Sequence, residues 1–299
     1  MTSTGTVQPG GAAAIEGLET ADRPIKPKRI RRRGGWFAWI TLGVVCFLWL
    51  VPSIGLLITS FRTQEAALTS GWWTVITKPF QDWTTTNYSQ VWNGGGSNAF
   101  VNSLVVSLPA TVIPIFIAAF AAYAFTFMEF PGRDFFFILI VGLLVVPLLK
   151  IYGDIGLQGT FASVWLAHAA FGLPLAIFIL RGYMATLPRG VIESAKIDWA
   201  SHYQTFWRLI VPMSVPALAS FAIFQFLWTW NDLLVALIFL GPGEKEVLTV
   251  AVAGLVGAQQ QGWQLITAGA FISMVVPLLV FLGLQRYFVR GLTAGAVKG

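Results

Sequence analysis

The sequence predicts an all-α integral membrane protein with six transmembrane helices, and three observations support this fold class. Charged residues make up 11% of the 299 residues and hydrophobic residues 56%, whereas a soluble domain has about 25% charged residues. Six apolar stretches, which contain Asp232 as their single charged residue, have lengths close to or above what a bilayer requires. The basic residues, which give a net charge of +6, gather beside these stretches. This arrangement favours a bilayer and argues against a nucleic-acid partner.

The predicted spans cover residues 36–60, 100–127, 135–149, 161–180, 215–240 and 265–284. At about 1.5 Å per residue, five of them cross a hydrocarbon core of roughly 30 Å. The third has 15 residues and becomes long enough if Ile151 and Tyr152 belong to it and Lys150 extends its amine to the interface. We expect kinks at three prolines in or near spans, with the freed carbonyls satisfied by neighbouring helices or water. These prolines are Pro147, Pro174 and Pro277.

The distribution of basic residues predicts that both termini are cytoplasmic. With the amino terminus inside, 15 Lys and Arg residues fall in cytoplasmic segments and 4 on the other side, as the positive-inside rule requires. Residues 1–35 are expected to form a basic, largely disordered tail, and residues 36–299 the transmembrane domain. That domain includes a cytoplasmic loop, 181–214, and a cytoplasmic tail, 286–299.

The loop 181–214 contains an amphipathic pattern bounded by prolines. Pro188 suits the first turn of a helix, and Pro212 would end one helix or start the next. Between them, apolar residues recur at spacings of three and four, namely Ile192, Ala195, Trp199, Tyr203, Phe206 and Ile210. Periodicity alone leaves two alternatives open: a helix on the lipid surface, or a docking surface for a soluble protein.

The same loop resembles the EAA motif of binding-protein-dependent ABC importer permeases. In that motif Glu-Ala-Ala is followed by Gly six residues after the Glu, and later by Ile-x-Leu-Pro. This chain keeps Glu193, Ala195 and Pro212, and departs from the motif with Ser194 for the first Ala, Trp199 for the Gly, Leu209 for the Ile and Val211 for the Leu. Stretches 173–182, 230–232 and 285–299 extend the resemblance over residues 36–299. They are most similar to the sugar-importing class typified by the smaller maltose permease subunit, and within it to the alpha-glucoside branch.

The resemblance implies that residues 188–212 form coupling helices seated in a cleft of an ATP-hydrolysing subunit. The expected ATPase-coupling residues are Glu193, Ser194, Ala195, Asp198, Trp199, Tyr203, Phe206 and Pro212. Trp199 is the departure that matters, because Gly at this place can adopt a positive φ, where Trp would be an outlier. The turn is therefore expected to have a different shape in this chain. The alternative is that Trp199 continues the apolar stripe.

The fifth span contains polar and aromatic residues that are unusual for lipid contact. The substrate-path candidates are Gln225, Trp228, Trp230, Asn231 and Asp232. Sugar sites combine aromatic faces with polar groups that bind hydroxyls, so Trp228 with Gln225 is the leading pair. Asp232 is an intramembrane carboxylate, for which we favour a structural role, as the cap of a broken helix or the partner of an outer Lys. His168 has no metal-type ligand at i+3 or i+4, so no metal site is expected.

The outer loop 241–264 is a candidate contact for an external binding protein, as the resemblance suggests. The candidate residues are Gln259, Gln260, Gln261 and Trp263. The alternative is that this Gly- and Gln-rich loop is only a connection. The same resemblance places the tail 291–299 between ATPase subunits.

Together these features predict a permease subunit of an ATP-driven sugar importer in the bacterial plasma membrane. The sequence has no Gly-x-x-x-x-Gly-Lys-Ser/Thr loop to hold phosphates, so the chain is not expected to be an enzyme or to bind a cofactor. ATP and magnesium would belong to partner subunits. The implied partners are a second, different permease, two ATP-binding subunits, an extracytoplasmic sugar-binding protein and the sugar. The coupling helices would transmit ATPase closure as a rigid-body movement.

Two other classes of function remain as alternatives. An ion-coupled secondary carrier would need a relay of buried ionisable groups, and the six stretches contain only Asp232 and His168. A membrane-embedded enzyme has less support, since no nucleophile, base and orienting group recur on facing spans.

Overall fold

The computed structural model describes residues 35–142, 148–258 and 262–294. Contacts divide the chain into two units, residues 1–51 and residues 52–299. The described part of the first unit belongs to helix α1 (Gly35–Ser60). The predicted tail lies outside the described residues except for Gly35, as do residues 259–261 and 295–299.

The described part of the chain is helical, and its only β feature is an isolated bridge between Arg62 and Trp83. Two connections contain π-helical turns, Trp92–Gly96 and Phe206–Ile210, and Trp72–Ile76 forms a 3-10 helix. After α1, the α-helices are α2 (Gln64–Thr69), α3 (Thr86–Val91), α4 (Ser97–Phe127), α5 (Arg133–Gly142), α6 (Leu148–Asp154), α7 (Phe161–Met184), α8 (Arg189–Ile197), α9 (His202–Thr205), α10 (Val211–Trp230), α11 (Leu234–Phe239), α12 (Leu248–Ala258) and α13 (Trp263–Ala294).

Five helical stretches among the described residues are long and apolar enough to cross a membrane. They are Gly35–Ser60, Thr86–Phe127, Phe161–Met184, His202–Trp230 and Trp263–Gln285. The membrane-protein fold class is therefore confirmed. The predicted third span is helical in α5 and again in α6, and residues 143–147 lie outside the described part. The count of six spans stays a prediction.

The predicted fifth span, 215–240, consists of two helices with a break between them. The helix α10 ends at Trp230, and α11 begins at Leu234. The break has a local cause, because two polar side chains bond the backbone at this point. The amide Nδ2 of Asn231 donates to the carbonyl of Leu227 at 2.7 Å, and a carboxylate oxygen of Asp232 accepts from the N–H of Ala236 at 3.0 Å.

Small side chains allow α4 and α7 to pack closely. Ala118 and Ala122 of α4 and Ala176 of α7 are fully buried in one apolar cluster. Membrane helices associate through such small residues, since lipid provides no hydrophobic drive between helices. The cluster also includes Ile192 and Phe206 from the loop 181–214, so that loop is part of the packed structure.

Three proline-freed carbonyls inside the membrane helices are satisfied by side chains from other helices. A proline leaves the carbonyl four residues earlier without its helical donor. At Pro109, Trp165 Nε1 donates to the carbonyl of Val105 at 3.0 Å. At Pro114, Gln225 Nε2 donates to that of Ala110 at 3.3 Å. At Pro277, Trp230 Nε1 donates to that of Ser273 at 3.0 Å. The expectation that neighbouring helices satisfy such carbonyls holds at Pro277, whereas Pro147 lies outside the described residues.

Candidate functional site

The loop 181–214 forms two helical segments joined by a sharp turn. The predicted apolar stripe is wrong at its centre, because α8 ends at Ile197 and the helical phase is not continuous beyond it. Trp199 is 94% exposed and Tyr203 is 69% exposed. The outer members of the stripe are buried as predicted, namely Ile192, Ala195, Phe206 and Ile210.

Trp199 closes α8 in the conformation that glycine normally adopts. Its φ is 56°, in the left-handed region. The Trp199 N–H donates to the carbonyl of Lys196 at 3.1 Å, and the Ala200 N–H donates to that of Ala195 at 2.9 Å. These two bonds define a Schellman motif, which usually has Gly at this position. The expectation of a different turn is therefore wrong: the turn has the shape that glycine favours, and Trp199 bears a strain of about 1–2 kcal/mol.

The second segment of the loop is held firmly on α4. Ser201 and Gln204 form a capping box at the start of α9, with bonds of 3.2 and 3.0 Å. The Tyr123 hydroxyl lies 3.0 Å from Nδ1 of His202. The ring of Phe206 stacks on that of Phe120, with centroids 4.4 Å apart. The exposed turn is therefore followed by a segment that is fixed to α4.

The eight coupling candidates separate into an outer and an inner group. Ala195 and Phe206 are buried against the membrane helices. The exposed group consists of Glu193, Ser194, Asp198, Trp199, Tyr203 and Pro212. Only this outer group is available to a partner, while the inner pair attaches the loop to the helices behind it.

The substrate-path candidates lie around the break between α10 and α11, in different environments. Gln225 is fully buried and also donates to the carbonyl of His168 at 3.3 Å, and Trp230 is 2% exposed. Both side chains bond neighbouring backbone, as described above. Trp228 is 41% exposed, and Asn231 is exposed at the end of α10. The break thus presents Trp228 and Asn231 outward and keeps Gln225 and Trp230 in the packing.

Asp232 has several partners at the break. Besides capping α11, its carboxylate lies 3.6 Å from Nε2 of His168, and its carbonyl accepts from the Thr249 hydroxyl at 2.7 Å. The favoured role as cap of a broken helix agrees with this geometry. The alternative partner, an outer lysine, is not Lys245, because Lys245 Nζ bonds the carbonyl of Gly159 at 2.9 Å. The partner histidine lies on a different helix, α7, so this pair forms only when the helices pack.

A narrow polar crevice lies beside the Asp232–His168 pair. It is lined by residues that include Ser107, His168, Thr229 and Asp232, and it has no room for a water molecule. The hydroxyls of Ser107 and Thr229 and Nδ1 of His168 are buried without a hydrogen-bond partner, whereas Nε2 of His168 faces the Asp232 carboxylate. Each such atom costs about 1–3 kcal/mol. Among residues 35–142, 148–258 and 262–294, no cluster of three His, Cys, Asp or Glu side chains could hold a metal ion.

The candidates for binding-protein contact are only partly described. Gln259, Gln260 and Gln261 lie outside the described residues. Trp263 begins α13 and is 58% exposed, so its ring is available to a partner.

Comparison with known proteins places the chain in a family. Residues 28–294 match the family model described as binding-protein-dependent transport system inner membrane component. The osmoprotective compounds uptake permease protein GgtD of Synechocystis sp. is 55% identical over 271 residues, which cover 87% of this chain and 91% of GgtD. The alpha-glucoside transport system permease protein AglG of Rhizobium meliloti is 55% identical over 227 residues, covering 71% of this chain and 60% of AglG.

A solved structure has the same fold. The crystal structure of a bacterial ABC transporter that imports the polysaccharide alginate matches 89% of this chain and 100% of its own chain, with a TM-score of 0.70. The identity is 20%, so this likeness concerns the fold alone. With the family model matched over nearly the whole chain, the protein belongs to the binding-protein-dependent transport system inner membrane components.

Proposed function

We propose that this chain is one of two different permease subunits of an ATP-driven sugar importer, with an alpha-glucoside or a related oligosaccharide as substrate. The family membership supports the importer role, and the 55% identity to AglG supports the substrate class. The equal identity to GgtD makes osmoprotective compounds the second class to test. A binding protein would deliver the substrate on the side opposite the loop 181–214. In this arrangement the protein lies in the bacterial plasma membrane with both termini cytoplasmic.

In this proposal the chain itself binds no nucleotide, and two partner subunits bind ATP and magnesium. One observation carries the coupling role. In the hairpin formed by α8 and α9, the turn residue Trp199 is strained and 94% exposed, while the segment after the turn is anchored on α4. Strain of this kind persists where the surrounding structure enforces it, and it is concentrated at functional sites. A partner cleft that receives the indole would gain contact area that a glycine cannot provide.

A movement of the hairpin has a direct route to the far side of the membrane. The π-turn Phe206–Ile210 continues into α10 without a break. The 20 residues of α10 extend about 30 Å at 1.5 Å per residue. Its far end carries Trp228 and Asn231, the two exposed substrate-path candidates. Closure of the ATPase subunits would therefore shift both ends of α10 as one rigid body.

In the substrate path, Trp228 and Asn231 would contact the sugar, the first through its ring face and the second through its amide. Gln225 and Trp230 would hold the helices in place, and Asp232 would cap α11. The hydroxyls of Ser107 and Thr229 and Nδ1 of His168 would gain hydrogen-bond partners when the importer changes state, because buried polar atoms are normally paired.

The coupling role is tested by truncating the two exposed aromatic rings, Trp199→Ala with Tyr203→Ala, in the importer reconstituted with its partner subunits. Binding-protein-stimulated ATPase activity should fall about tenfold or more, as for the loss of a hot-spot residue. Thermal stability should be retained, since both rings are exposed. Trp73→Ala is the matched control. Trp73 is an aromatic residue of the 3-10 helix Trp72–Ile76, outside the loop 181–214, and is 61% exposed. Unchanged stimulation in the double variant would reject the coupling role.

A separate test addresses the ion-coupled carrier. Uptake by the complete importer should require ATP and be inhibited by vanadate. Ion-gradient-driven uptake by the purified chain alone would reject the ATP-driven importer.

A further inference from the structure

A basic cavity lies where the loop 181–214 meets the ends of the membrane helices. Its volume is about 280 Å³, at the lower end of the range for ligand sites, about 300–1,000 Å³. Four cationic side chains line it, from Arg133, Arg181, Arg189 and Lys196, against the single carboxylate of Glu193. The cavity therefore has a strong excess of positive charge.

Most of this charge has no counterion among the described residues. Arg133 lies 3.6 Å from the carboxylate of Asp134, which is itself 77% exposed. The guanidinium of Arg181 lies over the ring of Phe137, 4.1 Å from its centroid, which positions the group but does not neutralise it. In the described part of the chain no ion pair forms at Arg181, Arg189 or Lys196. Like charges that converge in this way repel one another unless an anion joins them.

The start of α8 adds to the anion preference of the cavity. The first residue of this nine-residue helix is Arg189, its first turn has no acidic residue, and Pro188 provides no side-chain cap. A cation at a helix amino terminus is unfavourable by itself, because the helix dipole is positive there. The free N–H groups and the dipole favour an anionic ligand at this end.

The remaining lining of the cavity matches an amphiphile. Phe125, Phe127 and Ile192 provide apolar surface next to the cations. Arg181 lies in the last turn of the spanning helix α7, and Arg133 is the first residue of α5. The cations therefore lie at the level where the membrane helices end, which is the depth of lipid headgroups. Basic pockets between membrane helices at this level bind anionic headgroups.

We propose that this cavity binds the phosphate group of an anionic phospholipid from the leaflet next to the loop 181–214. The lipid would neutralise the cations and join α5, α7 and α8 at the base of the loop. The site goes beyond the proposed function, because binding requires no transport step and no ATP.

The test measures phospholipid binding by the purified importer in neutral detergent. Phosphatidylglycerol is titrated and followed by thermal stability, and co-purified lipid is counted by native mass spectrometry. Arg133→Gln with Arg181→Gln should weaken phosphatidylglycerol binding about thirtyfold, since each arginine near a membrane surface contributes roughly fivefold. Arg189→Gln with Lys196→Gln, at two exposed positions, provides a second pair that leaves the helix packing intact.

Two controls separate a specific site from general charge. Arg133→Lys with Arg181→Lys keeps the positive charge and should retain most of the binding. Arg208→Gln removes an exposed cation of the same loop that does not line the cavity, so it should leave binding unchanged. Equal losses in Arg208→Gln and in the cavity variants would overturn the proposal.

Two further arms identify the source of the anion. Phosphatidylcholine should give no stabilisation that depends on the cavity residues. Inorganic phosphate at millimolar concentration should neither stabilise the importer nor displace the lipid. If phosphate alone reproduces the effect, the ligand is a soluble anion and the proposal is wrong. If lipid binding is the same in all variants while the variants dissociate the ATPase subunits, an acidic partner segment occupies the cavity instead, and the proposal is again wrong. Lost lipid binding in cavity variants with intact ATPase coupling would support this site and leave the importer role standing.

Discussion

Trp230 and Trp199 show opposite uses of the same side chain in one protein. Trp230 is 2% exposed, donates its N–H to the carbonyl freed by Pro277 and stacks on Phe226. Trp199 is 94% exposed and has the φ that normally belongs to glycine. Trp230 provides a hydrogen bond to the backbone around it, while Trp199 strains its own backbone and leaves its ring exposed.

The contrast between the two tryptophans indicates which of them is free to bind a partner subunit. Inside the membrane helices, buried polar groups cannot be satisfied by water, so tryptophan and glutamine side chains serve the backbone. At the loop, water is available and a glycine would remove the strain. In the proposed coupling role, the strain at Trp199 would be offset by a contact of its ring with the partner subunit.

The largest effect should come from Gly172, which makes room for Gln225. A Cβ at Gly172 would lie 2.6 Å from Oε1 of Gln225, so Gly172→Ala would displace the amide from its two carbonyl bonds. We expect a loss of about 3 kcal/mol in the free energy of unfolding, from overpacking together with lost hydrogen bonds. Denaturation of the purified protein measures this loss.

Gly182 provides the matched control on the same helix, because nothing lies within 4 Å of its Cβ position. Gly182→Ala should be neutral or slightly stabilising, as alanine favours helix. In a Gln225→Ala background, Gly172→Ala should cost clearly less than in the natural chain. Additive losses in that double variant would show that the amide is not what Gly172 accommodates.

A smaller effect is expected from removing the Trp230 N–H. Trp230→Phe keeps an aromatic ring but leaves the Ser273 carbonyl without its donor, at a cost of about 1–2 kcal/mol. Trp228→Phe is the control, since Trp228 is 41% exposed and its indole N–H makes no hydrogen bond within the described part of the chain. Thermal denaturation should show a clearly larger loss of stability for Trp230→Phe than for Trp228→Phe. Equal losses would contradict the bonding role of Trp230.

Trp199→Gly should separate strain from contact. Glycine adopts the left-handed region freely, so we expect the variant to gain about 1 kcal/mol in stability. The same variant should lose stimulated ATPase activity in the reconstituted importer, because the indole is absent. Trp199→Ala removes the ring but keeps the strain, so it should lose activity without the gain in stability. A Trp199→Gly importer with full stimulation would show that the ring has no partner.

The smallest effect concerns the anchor of the hairpin. Tyr123→Phe removes the hydroxyl that lies 3.0 Å from Nδ1 of His202, and it should cost about 0.6 kcal/mol, the average for a hydrogen bond between membrane helices. Tyr203→Phe, at a residue that is 69% exposed, should leave stability unchanged. The difference in melting temperature between the two variants is the measurement, and a reversed order would exclude the anchoring role.

The fold class followed from the sequence because long apolar runs are local features. Five predicted spans correspond to membrane-length helices among the described residues. The motif resemblance also identified position 199 as one where a glycine-type φ would matter, and φ there is 56°. Both results depend on neighbouring residues in the chain and on the spacing between them.

Contacts between distant helices could not be predicted in the same way. Nothing near Pro109 in the sequence indicates that Trp165 donates to the carbonyl of Val105. The Asp232–His168 pair and the cluster of Arg133 with Arg181 likewise arise only when the helices pack. Periodicity failed at Trp199 and Tyr203, because a helix ended inside the apparent stripe. A pattern of spacings does not reveal such an end.

In the proposed mechanism an ATP-hydrolysing partner moves the loop 181–214. Site-specific crosslinking between this loop and the partner is the decisive measurement. Cys46 is the single cysteine of the chain, so Cys46→Ser with Ser194→Cys places one thiol on the exposed face of α8. A short thiol-to-amine crosslinker should join position 194 to the ATP-hydrolysing subunit, with a yield that changes between ATP-bound and nucleotide-free importer. Asn231→Cys, at the far end of α10, should give no such product. An active importer in which position 194 never crosslinks to that subunit in either state would contradict the account.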